Sequence, residues 1–299
     1  MKKWTTGSIP VLGNKRVIVT GANSGIGFQM ARVLSSKGAQ LVMACRNQEK
    51  ARIAADKIKK EFNDVDPGIM QLDLSSLESV NSFAADYRKK YDSLDVLINN
   101  AGVMATPYRT TKDGFEWQFG INHLGHFALT GKLIKILMST PGSRVVNITS
   151  IAHFNGKMHF DDLSAREWYS PMKAYRQSKL ANLLFSNELQ SRLERTNAGV
   201  ISVAAHPGLS STNIVKLPFP LTVLKDLVLM SALKGALPAL KGATDVNIKG
   251  GEYIGPAGYK QMYGYPAVLT PHEKAYDLSL REKLWTHSEE MTGVNYLDI

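Results

Sequence analysis

A single doubly wound parallel α/β sheet is the fold class the sequence predicts, and three observations predict it. Short apolar runs recur at residues 16–20, 40–44, 69–73, 94–99, 144–149 and 199–205. Stretches long enough for helices separate them, among them 24–37, 48–62 and 77–91. A glycine-rich turn follows directly on the first run. Strands covered on both faces read as nearly continuous apolar runs, and strands separated by helices imply right-handed crossovers between parallel neighbours.

In chain order, the run 16–20 opens the sheet and the helix 24–37 carries the chain to 40–44. The helix 48–62 leads to 69–73, and 77–91 leads to 94–99. The last third is less regular, punctuated by Pro218, Pro220, Pro238, Pro256, Pro266 and Pro271. A final helix is expected from about 271 to 285, with Pro271 at a suitable opening position. No repeat, low-complexity segment or Ser/Pro-rich linker interrupts the chain, so residues 1–299 are read as one domain.

With 44% hydrophobic and 21% charged residues, the composition excludes disordered and collagen-like chains. The one cysteine, Cys45, excludes an intrachain disulfide framework and a Cys-based zinc site. The most apolar stretch, 214–233, is broken by Lys216, Pro218, Pro220, Lys225 and Asp226, which makes it a poor membrane span. The N-terminal residues lack the apolar core of a signal peptide, so a soluble cytoplasmic protein is expected. The net charge of +10 resides wholly in residues 1–60, which hold 12 Lys/Arg against Glu49 and Asp56. Such a field attracts a polyanion, an anionic membrane or a phosphorylated small molecule.

The turn after the first strand reads Gly21-Ala22-Asn23-Ser24-Gly25-Ile26-Gly27. Glycines permit a tight strand-to-helix turn and close backbone approach to a pyrophosphate, and the helix N-terminus supplies free N–H groups. Its place between strand and helix is the context a dinucleotide loop requires. The second strand ends Cys45-Arg46-Asn47, with no acid before Glu49. An acid there would grip a ribose 2′-hydroxyl, whereas Arg46 matches a 2′-phosphate. The expected cofactor is therefore NADP(H), with Ser24 and Asn47 as helpers to Arg46 and the basic first 60 residues surrounding its phosphates.

The glycine loop, Asp73, Asn99-Asn100-Ala101-Gly102, Asn122, Ser150, Tyr175-x3-Lys179 and Pro207-Gly208-x3-Thr212 follow one another in order along nearly the whole chain. As a set they resemble the short-chain dehydrogenase/reductase family, which implies a Rossmann fold. Ala44-Cys45-Arg46, residues 122–127 and residues 178–182 resemble most its retinol dehydrogenase and protochlorophyllide reductase branch, with wording that leans to the former. The resemblance implies roles. Tyr175 would be the proton donor and acceptor, helped by Lys179, which would also hold the nicotinamide ribose. Ser150 would bind the substrate oxygen, and Asn122 would hold a water linking Lys179 to solvent. Asp73 with Leu74 would meet the adenine, Asn100, Ala101 and Gly102 would line the adenosine ribose, and Pro207, Gly208 and Thr212 would border the nicotinamide. Tyr175 and Lys179, four apart, share one helix face.

Ser150 and Tyr175 lie 25 apart, farther than in the shorter family pattern. Residues 151–172 therefore read as an insertion that shapes the substrate pocket, blocks an oligomer interface or forms an external loop. For residues 213–234, rich in Leu, Ile and Val, a lid over an apolar substrate is favoured over core packing or a peripheral membrane contact. His123 and His126, without carboxylate or Cys partners, are read as packing or solvent residues rather than metal ligands, and His206 as packing against its loop. No metal is expected. The expected activity is NADP(H)-dependent interconversion of a carbonyl and an alcohol on an apolar small molecule. The alternatives are reduction of a conjugated double bond and non-catalytic NADP(H) sensing; nucleic-acid binding is disfavoured because the basic end already has a phosphate ligand.

Overall fold

The computed structural model describes residues 3–196, 198–209 and 230–296. The predicted runs form β1 (Arg16–Thr20), β2 (Gln40–Cys45), β3 (Gly68–Gln71), β4 (Val96–Asn99), β5 (Arg144–Ile148) and β6 (Ile201–Ala205). They pair in parallel in the order β3-β2-β1-β4-β5-β6. Two unforeseen strands extend this sheet, β7 (Tyr253–Pro256) in parallel and β8 (Pro266–Leu269) antiparallel at the edge. Both are four residues long and are bounded by the paired Pro256 and Pro266. Proline lacks a ladder donor and so belongs at such margins.

The strand side chains alternate between two apolar layers. Val17, Val19, Leu41 and Met43 face α1 (Gly25–Ser36), α2 (Gln48–Glu61) and α6 (Ala232–Thr244). Ile18, Val42, Leu97 and Val145 face α3 (Leu77–Lys90), α4 (Gly125–Met138), α5 (Pro171–Thr196) and α7 (Leu278–Thr292). A polar ladder crosses the middle of this apolar sheet. Asn99 Nδ2 donates to Asn147 Oδ1 at 2.9 Å and to Thr130 Oγ1 at 3.0 Å, and Asn147 Nδ2 donates to Ser202 Oγ at 3.3 Å.

The last helix departs from expectation. Residues Glu273–Tyr276 make a 3₁₀ turn, and α7 starts only at Leu278, where Asp277 accepts the Leu280 N–H at 3.0 Å. An aspartate cap satisfies a free helix donor, which Pro271 cannot do. The helix ends at Gly293, whose φ of 63° is left-handed.

Of the expected lid, residues 213–229 lie outside the described residues, as does Thr212. Its described end is structural: Met230 is buried, its N–H donates to the Leu209 carbonyl at 2.9 Å, and Ser231 caps α6. Residues 151–172 form two 3₁₀ turns, Ile151–Asn155 and Phe160–Asp162. They are packed rather than external: His153, Met158, Leu163 and Ala165 are buried, and Tyr169 donates to the Thr106 carbonyl.

Candidate active site

The strand order reverses between β1 and β4, which are adjacent although two strands separate them in the chain. Such a switch point opens a crevice at the carboxyl ends of the strands. A cavity of about 500 Å³ lies there, lined by residues from Gly21 to Leu209.

The glycine loop forms one lip. Gly21 and Gly25 have φ of +65° and +56°, and a Cβ on Gly27 would come within 2.3 Å of the Gly21 carbonyl oxygen. The loop is thus a cradle that side chains would fill. Ser24, Gly25, Ile26, Gly27 and Asn23 all line it, and Ser24 stands at the N-cap of α1 without a side-chain cap bond. The first N–H groups of α1 have no intrahelical acceptor, so the lip suits an anion. The N–H groups of Ala22 and Asn23 face the Cys45 sulfur, whose thiol is pushed up to about 11 chiefly by burial. Sequence reasoning used Cys45 to exclude disulfides and a zinc site and as part of the family resemblance, and missed this prop.

At one end of the cavity stand two exposed cations, Arg46 and Lys50. No salt bridge among the described residues involves either. Asn47 caps α2 by accepting the Lys50 N–H at 2.8 Å, which puts Lys50 in the first turn of that helix. Lys50 was missed; its signal was its place four residues after Arg46. The remaining described cations of the basic N-terminal part do not line the cavity. Lys15, Arg16, Arg32 and Lys59 pair instead with Asp95, Asp92, Glu61 and Asp66. The expectation that this whole region surrounds phosphates is corrected: most of its charge is surface ion pairing or solvated. Asp73 and Leu74 line the cavity nearby, with Asp73 Oδ1 accepting the Ser75 N–H at 3.0 Å and hydroxyl at 2.6 Å.

Asn100, Ala101 and Gly102 form the wall after β4. Thr20, the last residue of β1, holds it: its Oγ1 accepts the Asn100 and Ala101 N–H groups at 2.8 and 2.9 Å. Asn122 is fully buried and does not line the cavity. It sits in a π-helical turn, Gly120–Leu124, that leads into α4; π turns concentrate at functional sites. Asn122 Nδ2 donates to the Val103 carbonyl and to Ser178 Oγ, both at 2.9 Å, and Oδ1 accepts the Val103 N–H at 2.8 Å. Its side chain therefore braces the wall against α5, and both amide protons are spent on Val103 and Ser178.

Ser150, Tyr175 and Lys179 converge on the cavity. Ser150 lies two residues beyond the end of β5 and caps the 3₁₀ turn that follows, accepting the Ala152 N–H at 3.2 Å. Tyr175 is held protonated by burial, an effect that its hydrogen bond with Ser150 opposes. Lys179 is 5% exposed, donates to the Ile148 carbonyl at 3.1 Å, and is pulled down to about 8 by burial. Pro207 and Gly208 follow β6, and a Cβ on Gly208 would lie 2.4 Å from the Met262 carbonyl oxygen. Val103, Met104, Ile121, Ile151 and Leu209 add an apolar lining beside Tyr175.

His123, His126 and His206 are buried rather than solvated. His123 packs among Phe119, Phe127 and Phe185, and His206 stacks on Tyr253 with centroids 5.2 Å apart. Among the described residues, no group of three or more His, Cys, Asp or Glu could hold a metal, and no helix is long and apolar enough to cross a membrane.

A dinucleotide cradle joined in one cavity to a Ser, Tyr and Lys set defines a nicotinamide-dependent oxidoreductase acting on alcohols and carbonyls. Residues 15–218 match the family model described as short chain dehydrogenase, and the chain belongs to the short-chain dehydrogenase/reductase family. Within it, the chain falls in the retinol dehydrogenase-like branch. It is 37% identical over 306 residues to retinol dehydrogenase 14 of Homo sapiens, covering 95% of this chain and 88% of that one. It is 39% identical over 287 residues to retinol dehydrogenase 12 of Mus musculus, covering 94% and 87%. An uncharacterized protein from Mycobacterium Paratuberculosis has a similar structure, with TM-score 0.84, 38% identity and 99% of both chains covered. A short chain dehydrogenase from Shigella flexneri, solved with NADP, shares the fold at 22% identity and TM-score 0.63, covering 81% and 97%.

Proposed function

We propose that this protein is an NADP(H)-dependent oxidoreductase that interconverts an aldehyde or ketone and its alcohol on an apolar small molecule. The observation that carries the reading is the polarity of one cavity. Arg46 and Lys50, without salt-bridge partners among the described residues, mark one end, and Ser150, Tyr175 and Lys179 mark the other. The cradle at Gly21–Gly27 fits a pyrophosphate between them. Two cations where an acid would select a 2′-hydroxyl favour a 2′-phosphate.

When bound, the cofactor supplies or takes a hydride. The residues of the chain do the rest. Ser150 Oγ donates a hydrogen bond to the substrate oxygen and stabilises the negative charge growing there. In reduction the Tyr175 phenol gives its proton to that oxygen; in oxidation the phenolate takes it. Burial keeps Tyr175 protonated, which suits the reducing direction. Lys179 holds a cation behind the Tyr175 ring and the ribose end of the site. Val103, Met104, Ile151 and Leu209 offer an apolar substrate a dry surface, and the relatives named retinol dehydrogenases support a retinoid-like aldehyde or alcohol.

The test is a panel of apolar aldehydes, ketones and their alcohols, each with NADPH/NADP+ and NADH/NAD+, followed at the nicotinamide absorbance. Turnover of at least one apolar carbonyl with higher kcat/KM for NADPH is expected. Binding of NADPH with no turnover across the panel would favour a sensor and overturn the catalytic reading.

A further inference from the structure

Beneath the cavity, the phosphate lip and the helix of Tyr175 are joined through one imidazole that touches neither the cavity nor solvent. His126, 2% exposed, places Nε2 2.9 Å from Thr20 Oγ1 and Nδ1 3.0 Å from the Asn122 carbonyl oxygen. The partners fix its protonation. A threonine hydroxyl has one proton and two acceptor sites, and the N–H groups of Asn100 and Ala101 fill both of the latter. The Thr20 proton must therefore be donated. His126 Nε2 is its nearest acceptor, since the Ile98 carbonyl lies 3.4 Å away. With Nε2 accepting, the ring proton resides on Nδ1 and is donated to the Asn122 carbonyl. Burial holds the ring neutral, at about 4.

Each side of the ring leads to a different part of the site. Through Thr20, it orders the junction of β1 with the glycine loop and the Asn100–Ala101 wall opposite. Gly21 and Ala101 pack so tightly here that a Cβ on Gly21 would lie 3.0 Å from the Ala101 Cβ. Through the Asn122 carbonyl, it fixes the π turn whose side chain grips Val103 and Ser178. Ser178 Oγ in turn donates to the Tyr175 carbonyl at 2.8 Å.

We propose that His126 is a positioning residue that sets cofactor affinity through its Nε2 bond to Thr20 and turnover through its Nδ1–H bond to Asn122. The proposal rests on the nicotinamide reading above. It predicts that the two halves of the imidazole can be separated. An asparagine amide can stand in for Nδ1–H, and a glutamine carbonyl can reach the place of Nε2.

The experiment measures NADPH Kd by fluorescence, kcat on the best carbonyl of the panel, and thermal midpoint for wild type, His126→Asn, His126→Gln and His126→Phe. Losing one buried hydrogen bond and stranding its partner costs about tenfold in the parameter it serves. His126→Asn should therefore weaken NADPH binding about tenfold with a smaller loss of kcat. His126→Gln should do the reverse, and His126→Phe, where it folds, should lose in both. Thr20→Val, which also strands the Asn100 and Ala101 N–H groups, should weaken NADPH binding at least as much as His126→Asn, and the double variant should bind no more weakly than Thr20→Val alone. A purely structural role would instead move Kd and kcat together in the Asn and Gln variants, in step with the thermal midpoint. That result, or additive losses in the Thr20 cycle, would overturn the proposal. Wild-type protein that binds neither NADPH nor NADH would overturn the cofactor reading itself. Wild-type binding with unaltered Asn and Gln variants would overturn the role of His126 alone.

Discussion

Lys179 Nζ lies 5.8 Å from the centroid of the Tyr175 ring while it donates to the Ile148 carbonyl at 3.1 Å. The ammonium thus meets the phenol through its ring, at the outer reach of a cation–π contact. One turn of α5 separates the two residues, and the backbone of β5 holds the cation in place. Because the amine is anchored from below, its influence on Tyr175 is electrostatic, and the phenol is left to Ser150 and substrate.

That arrangement gives the pH dependence a sign. Burial raises Tyr175, so the protonated acid needed for reduction persists through neutral pH and is lost as pH rises through the shifted value. Carbonyl reduction should fall at alkaline pH, and alcohol oxidation should rise over the same interval. Tyr175→Phe should lower kcat by about 10²–10⁴-fold while NADPH Kd changes little. Initial rates in both directions, carried from neutral pH to well above about pH 10, provide the check; parallel profiles would remove Tyr175 from its role.

Buried Lys179 should cost stability. Its folded pKa is pulled down to about 8 from 10.5, so the folded state carries the full desolvation penalty below about 8. The penalty fades as pH rises from there to the unfolded value. Lys179→Met should abolish turnover yet raise unfolding free energy at pH 7 on the order of 1–3 kcal/mol. Denaturant titrations at pH 7 and pH 9.5 should show the gain shrinking. The Ile148 carbonyl keeps Asn182 Nδ2 at 2.9 Å in the variant, so it is not orphaned. A less stable Met variant at pH 7 would contradict the desolvation account.

Cofactor choice should be reversible at the cation pair. Arg46→Asp should lower kcat/KM for NADPH about tenfold to hundredfold, the scale of a lost charge-assisted phosphate contact replaced by repulsion. NADH should be affected less. Lys50→Ala should have a smaller effect in the same direction, because a lysine acts as a point charge rather than a fork. Equal efficiency of the wild type with NADPH and NADH would refute the assignment.

Four buried histidines predict acid lability. Burial lowers His126 and His153 to about 4, and His123 and His206 to about 3. Between those values and about 6.5 the unfolded chain binds protons that the folded one refuses, so stability present above 6.5 is lost as pH falls. Each histidine contributes a slope of up to about 1.4 kcal/mol per pH unit in that window. Thermal midpoints should drop steeply between pH 6.5 and 4.5. A midpoint constant across that range would show that these rings are protonated in the native state.

The sequence made β1 to β6 legible because each is an apolar run that both layers cover, as Val17, Ile18 and Val19 show. β7 and β8 escaped because Gly255, Pro256 and Pro266 read as turn residues; only the pairing of β7 with β6 and of β8 with β7 makes them strands. Most of the cavity lining was legible from order and spacing. The missed parts are tertiary. Thr20 and His126 are 106 residues apart, and no local pattern announces that a strand-end threonine will need an acceptor. The π turn at Gly120–Leu124 is invisible for a related reason, since its residues suit an ordinary helix equally well. Lys50 was overlooked because a lysine in a helix is usually solvated, and only the cavity places it beside Arg46.

The Asn99–Asn147–Ser202 ladder has a consequence for how the sheet keeps its alignment. Strands that are greasy on both sides carry little information about which residue should stand beside which, because a slide by one position exchanges one valine for another. Three amides and hydroxyls in adjacent strands supply the missing index marks. If β5 slid by one residue, Asn147 would leave both neighbours with unmet polar groups in a dry interior. Ser150, three residues further along the same strand end, would be displaced by about 3.3 Å from the oxygen it is meant to greet. The amide of Asn147 thus acts as a vernier, converting strand alignment into the placement of the hydroxyl at the tip.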